Sequence, residues 1–336
     1  MRRASPGSFC DRLGWYRSLA EQGPASATEL AARTRTHRRY AQEWLEQQDV
    51  TGLLSVDDAE SPRFTLSPAG VEVFTDERSI NYLAPLARML CAATIQAPAL
   101  LKAHRTGGGV TWEQLGADGR ESQADMNRPW YERELAGALK SAPDVDTVLA
   151  ADGATIADVG CGGGWSTIAL ADAYPNATVH GYDLDAASIE LARANIAARP
   201  ELARRVDFTH ADGATLPGTD FHAAFAFECI HDMPQPVDVL AEVRRSLAPG
   251  GFMIVMDEAV VDQFTAPGDD TERLMYGFSL GICLPDGMSH QPSVGTGTVM
   301  RPSTLRRYAH DAGFTEMDVL PIEDFGFWRF YRLRAA

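Results

Sequence analysis

Residues 155–165 read TIADVGCGGGW, and the rest of the chain is organised around that stretch. Its first five residues are β-branched or apolar apart from Asp158 and read as a strand; Gly160, Gly162 and Gly164 then turn the chain into STIALADAYP, which reads as a helix. Glycine lets the backbone turn sharply and approach a ligand with no Cβ in the way, and a helix start offers free N–H groups. Strand, glycine turn and helix together make a nucleotide cradle. The spacing departs from the dinucleotide fingerprint G-x-G-x-x-G, and an acid, Asp158, stands two residues before the first glycine.

The segments that follow are ordered. ATVHGYDLD is a second strand that places Asp183 about 20 residues past the turn, where a carboxylate takes ribose hydroxyls. RVDFTHADGATLP is a third, ending at Asp212, an acid suited to accept from an adenine amino group, with Gly213 next to it. FHAAFAFECIHD is a fourth strand, PVDVLAEVRRSLAPGG an amphipathic helix, and FMIVMDE a fifth strand. For each glycine the plainer reading is an ordinary turn, and for Asp183 a strand-end acid.

The series DVGCGGG, GYDLD, ADGATLP, FECIHD and LAPGGFMIVMDE resembles the class I S-adenosylmethionine-dependent methyltransferases over roughly residues 155–333. With the N-terminal pattern described below, the whole chain resembles the two-domain small-molecule type, and its ending FWRFYRL is similar to a group of actinobacterial methyltransferases of unassigned substrate. The resemblance implies an α/β fold: a Rossmann-like seven-stranded methyltransferase domain behind an N-terminal winged-helix, mostly α domain. It implies S-adenosylmethionine as cofactor. Gly160 and Gly162 would face the methionine moiety with Asp158 in support; Asp183 and Leu184 would hold the ribose and line the adenine; Asp212 and Gly213 would meet the adenine edge. Glu228, in the strand end FECIHD, is added to that set.

A chain of 336 residues with 45% hydrophobic content suits two globular units. No apolar run approaches the roughly 20 residues that span a bilayer, and MRRASPGSF lacks the apolar segment of a secretory signal, so a cytoplasmic protein is expected. Five widely spaced cysteines, Cys10 among them, form no C-x-x-C pair and are expected as reduced thiols. A formal charge of −16 argues against nucleic acid as a partner.

Residues 26–74 read as a short helix, a turn, a longer helix with Tyr40, Ala41, Trp44 and Leu45 on its apolar face, and a hairpin: a winged helix. Arg33, Arg35, His37, Arg38 and Arg39 crowd the turn and the start of the second helix, where a DNA-reading helix would meet the major groove, which leaves a transcription regulator as a competing reading. The favoured reading is a dimerisation module over 1–77, a helical connector over 78–150, and a catalytic domain over 151–336 with a lid insertion at 259–300. The expected assembly is a homodimer. In the connector, Ile80, Leu83, Leu86 and Leu90 repeat at helical spacing, and a further helix starts near Pro129 with Asn127 as its cap or as a ligand contact.

The acceptor site centres on FECIHDMPQP. His231 stands where the fourth strand ends, the edge at which such sheets place ligands. Related O-methyltransferases carry histidine-aspartate-tryptophan there with the histidine as base; here Met233 replaces the tryptophan. A base serves a phenol, whose pKa near 10 leaves it protonated, and gives nothing to a carboxylate. Three roles stay open for His231: base, hydrogen-bonding partner, or metal ligand with Asp232 and His290, as in metal-assisted C-methylation of a 2-oxo acid. Met275 and Ser279 sit on a helix suited to roof an apolar pocket, and LPDGMSHQPSVGTGTVMRP, with His290, reads as a loop above it. The leading reading is O-methylation of a hydroxyl on an aromatic or polyketide-like metabolite; binding the cofactor without methyl transfer is the remaining alternative.

Overall fold

The computed structural model describes residues 12–58 and 60–335. Cys10 lies outside them; the four described cysteines are free thiols. The chain divides into two compact units, one holding residues up to 94 with 117–129, the other 95–116 with 130–336.

In the first unit the expected helix, helix and hairpin are present: Ala27–Thr34, Arg38–Val50, then β1 (Leu54–Val56) paired antiparallel with β2 (Phe64–Leu66). Ser26 caps the first of these helices in a reciprocal capping box with Glu29. Trp15, Leu30, Ala41, Trp44 and Leu45 form the core. Tyr40 differs from expectation: it is 72% exposed, because the buried stripe runs through Ala41, Trp44, Leu45 and Gln48 and leaves Tyr40 at its edge. The first helix after Arg78 also starts later than expected, at Ala84; Leu83 and Leu90 are exposed.

The second unit is a seven-stranded sheet in the order β5-β4-β3-β6-β7-β9-β8. Its strands are β3 (Thr155–Val159), β4 (Thr178–Asp183), β5 (Val206–His210), β6 (Phe221–Phe227), β7 (Leu247–Glu258), β8 (Glu316–Val319) and β9 (Trp328–Arg334). β3 to β7 are parallel, and β9 runs antiparallel between β7 and β8. One face packs on Leu135, Leu139, Val145, Leu149 and Leu170, the other on Val239, Leu240, Val243, Leu305 and Tyr308. Burial on both faces explains why β6 is a nearly unbroken apolar run, FHAAFAF, in which only His222 is exposed. The chain order moves outward from β3 to β5 and then restarts at β6 on the other side of β3. That reversal opens a crevice beyond the C-terminal ends of β3 and β6, the usual ligand position in such sheets.

Two helical segments differ from expectation. No helix begins at Pro129: Trp112–Trp130 is one helical run with a break at Gly116, and it continues through a π-turn at Tyr131–Leu135 into Ala136–Lys140. Asn127 therefore lies inside a helix, buried, and caps nothing. The insertion after β7 is more regular than its glycines suggest, with helices at Asp270–Phe278 and Leu284–Ser289 joined by a π-turn at Ser279–Cys283.

Candidate active site

The glycine loop leaves β3 directly behind Asp158. Gly160 has φ +74°, and a Cβ there would lie 2.7 Å from the Cys229 sulfur, so glycine is required both by conformation and by packing. Gly162, at φ +51°, faces open space; its N–H donates to Asp183 Oδ2 at 2.8 Å. Asp183 Oδ1 accepts from the Asp185 N–H at 2.8 Å. Burial raises the Asp183 carboxyl above its ordinary range, and the two backbone N–H groups offset part of that.

Asp158 is fully buried. Its Oδ2 accepts from Ser166 and Thr167 hydroxyls, each at 2.6 Å, and its Oδ1 is buried with no hydrogen-bond partner. Burial pushes this carboxyl up to about 6, against the two hydroxyls and with help from nearby Asp183. A buried acceptor left open beside a glycine turn fits a ligand carrying a donor or a positive charge, the ammonium of an amino acid moiety included.

The adenine-edge candidates have local duties as well. Asp212 is exposed and caps the turn Gly213–Thr215, accepting from the Ala214 N–H at 2.9 Å. A Cβ on Gly213 would press on Val159 and Val239 at 3.0 and 3.1 Å. Leu184 is 59% exposed. Glu228 takes a left-handed conformation, φ +50°, and its Oε1 accepts from the Trp328 indole N–H of β9.

β6 stops at Phe227, and residues Ile230–Asp232 form a 3-10 turn, so His231 and Asp232 are released from the alternation of an extended strand. His231 is 2% exposed. Its Nδ1 lies 3.1 Å from both Asp257 oxygens and 3.4 Å from Glu258 Oε2; its Nε2 lies 3.4 Å from Asp232 Oδ1. Nε2 faces Asp232, and the Cys283 thiol lies close to the same ring. Burial alone lowers the imidazole pKa; Asp257, Asp232 and Glu258 overcome it and raise it well above its ordinary value. Glu258 is itself raised well above the carboxylate range by burial, against the pull of His231 and with Asp257 pushing the same way.

Asp257 and Glu258 were absent from the sequence candidates. The available signal was the pair of acids in MDE at the end of the strand beside β6, where Met256 pairs with Phe227.

The insertion closes over this turn. A Cβ on Gly287 would meet the Asp232 carbonyl at 2.9 Å, Gly297 N–H donates to the His231 carbonyl at 3.1 Å, and Val294 N–H to that of Pro234 at 2.9 Å. The π-turn brings Cys283 beside His231 and Asp232; burial pushes its thiol up to about 12, with Asp232 adding to it. Asp286 also reaches the site, accepting from the Trp112 N–H at 2.7 Å. Met275 and Ser279 are buried.

Metal-ligand atoms come within 4.8 Å of one another in two described groups, His231 with Asp232 and Cys283, and His231 with Asp257 and Glu258. His290 belongs to neither and is exposed, so it does not complete the expected ligand face. In the first unit three arginines of the cluster are engaged with their own surroundings: Arg33 donates to the Gly23 carbonyl at 2.8 Å, Arg38 to Thr28 at 3.1 Å, and Arg39 pairs with Glu43.

Residues 156–251 match the family described as a methyltransferase domain. The O-methyltransferase cnsE of Penicillium expansum is 37% identical over 109 residues, 32% of this chain and 39% of that protein; the matched part thus spans less than half of the relative's length. Two solved structures share the fold along almost the whole chain. The mitomycin 7-O-methyltransferase MmcR is 21% identical with a TM-score of 0.71, covering 96% of this chain and 91% of its own. Human N-acetylserotonin methyltransferase in complex with SAM is 17% identical, TM-score 0.71, covering 97% and 92%. Among the described residues no single helix is long and apolar enough to cross a membrane.

Proposed function

We propose that this chain, which carries a methyltransferase domain at residues 156–251, is an S-adenosylmethionine-dependent O-methyltransferase acting on a hydroxyl of a small aromatic or polyketide-like metabolite. The observation that carries the reading is the His231 imidazole: Nδ1 is fixed by Asp257 at 3.1 Å, which turns Nε2 toward Asp232 and Cys283 at the turn after β6. The acids at Nδ1 hold the tautomer and favour imidazolium, as a proton acceptor in a buried site requires.

S-adenosylmethionine supplies a methyl group already activated by its sulfonium. The chain's task is then to orient the acceptor and to take its proton. Asp158, Gly160 and Gly162 would hold the methionine moiety, Asp183 the ribose, and Asp212 with Leu184 the adenine edge. His231 Nε2 would take the proton of the acceptor hydroxyl, while S-adenosylmethionine, when bound, would supply the methyl group and leave as the neutral thioether. Raising the imidazole pKa brings it toward that of a phenol near 10, which lessens the uphill cost of the transfer.

Calorimetry with S-adenosylmethionine, followed by a phenolic acceptor panel read by mass spectrometry, tests this. No cofactor affinity would remove the reading. His231→Ala should lower kcat by about 10²- to 10⁴-fold with cofactor affinity unchanged; undiminished turnover would exclude the base role.

A homodimer belongs to the same proposal. Helix Ala97–Thr106 buries none of its residues, and Leu101 and neighbouring Ile95 are 56% and 68% exposed. A helix with no core of its own is stabilised by a partner surface, here a second copy.

A further inference from the structure

The cofactor crevice carries more negative charge than its assigned residues use. Asp286, from the insertion, is fixed through Oδ1 by the Trp112 N–H at 2.7 Å, while Oδ2 has no hydrogen bond among the described residues. Its helix cannot drift, because Gly287 sits against the Asp232 carbonyl and the Pro285 carbonyl accepts from the Val110 N–H at 3.0 Å. Burial pushes the Asp286 carboxyl up to about 7, and the acids that press on it are Asp232, then Asp183 and Asp185. Gly287, the next residue, abuts the Asp232 carbonyl, so Asp286 stands by the acceptor end of the crevice at the turn after β6, within electrostatic reach of Asp183 at the end of β4.

Two further acceptors point the same way. Asp158 Oδ1 is buried without a hydrogen-bond partner and wholly inaccessible, and Asp232 Oδ1, also without a hydrogen bond, has His231 Nε2 at 3.4 Å. The His231 imidazole offsets part of the charge at Asp232, but Asp158 and Asp286 have no cationic partner among the described residues, and packing such carboxylates around a crevice is costly unless the occupant brings the charge.

On the reading that the crevice binds S-adenosylmethionine, the sulfur lies between the ribose and the acceptor, since it is bonded to one and delivers its methyl to the other. We infer that Asp286 is a cofactor-binding residue that reads the sulfonium charge, favouring S-adenosylmethionine over the neutral S-adenosylhomocysteine formed by transfer. A carboxylate a few ångströms from a fixed cation stabilises it, and it gains nothing from a thioether. Asp286 thus promotes loading of the methyl donor and release of the spent product.

The test is calorimetry on the full chain at pH 8, where the carboxyl is ionised, with three probes: S-adenosylmethionine, S-adenosylhomocysteine, and sinefungin, which carries an ammonium in place of the sulfonium. Asp286→Asn should weaken the two cationic ligands about tenfold and the neutral one less than twofold. Equal weakening of all three, or no change in any, would overturn the inference. So would a change confined to the KM of the acceptor, which would assign Asp286 to that molecule instead. Asp286→Glu, which keeps the charge, should restore part of the preference and guards against a simple packing defect. If the unaltered protein binds none of the probes, the methyltransferase reading fails; if it binds them and the variant does not discriminate, only this inference fails.

Discussion

His231 gains its character from the residues around it. With its pKa raised, the neutral imidazole that accepts a proton exists mainly above that raised value, so kcat/KM should climb with pH well past the ordinary histidine value of 6.5. Asp257→Asn removes an anion from Nδ1. The climbing limb should then move toward acid by about 1 to 3 pH units, and the plateau should fall because the ring is a weaker and less well-oriented base. A pH profile of both proteins on one acceptor measures this; an unmoved limb would show that Asp257 does not tune the base. The same raised pKa bears on stability: the contribution from His231 is complete below 6.5 and is lost as pH rises through the higher folded value. His231 and Asp158 were legible in the sequence because each sits at a strand end in a recognisable run. Asp257 and Glu258 were not, because their importance comes from the pairing of β7 with β6, which brings residues 26 and 27 positions further along the chain beside the imidazole.

At the scale of elements, the glycine turn divides its labour. Gly160 is hemmed in by Cys229, whereas Gly162 has nothing near its missing Cβ. Gly160→Ala should destabilise the fold by about 1–3 kcal/mol, lowering the melting temperature whether or not cofactor is present. Gly162→Ala adds a methyl group in open space at a milder conformational cost of about 1–2 kcal/mol, so the larger change should be a loss of cofactor affinity. Thermal melts and calorimetry on the two variants separate these effects, and a Gly162→Ala protein that binds cofactor normally would place the ligand elsewhere. The alternation of strand and helix was readable from Thr155 onward because burial on both sheet faces makes the strands plainly apolar. The run around Pro129 was not: proline usually opens a helix or stops one, and here it sits inside, with a π-turn immediately after it. The insertion misled in the same manner, since Gly287 in a loop-like sequence serves as a close-contact point of a helix.

For the whole molecule, the exposed face of Ala97–Thr106 predicts association. Light scattering coupled to size exclusion should give a dimer mass, and Leu101→Lys should shift the protein toward monomer at micromolar concentration. A monomer in the unaltered protein would leave that helix unexplained and remove the dimer reading. Sequence alone gave helical spacing here but not accessibility, because an apolar helix awaiting a partner and one buried in its own core share the same pattern.

The position of β9 bears on when the protein can begin to work. Trp328–Arg334 lies between β7 and β8, paired with Phe252–Glu258 along one edge, and Trp328 reaches across to Glu228. During synthesis, the glycine turn and the histidine turn leave the ribosome roughly a hundred or more residues before the strand that completes their sheet. Until that strand arrives, β7 is framed by β6 alone and offers a bare hydrogen-bonding edge on its other side. Completion of the sheet on this side therefore awaits β9, which lies 97 residues beyond His231.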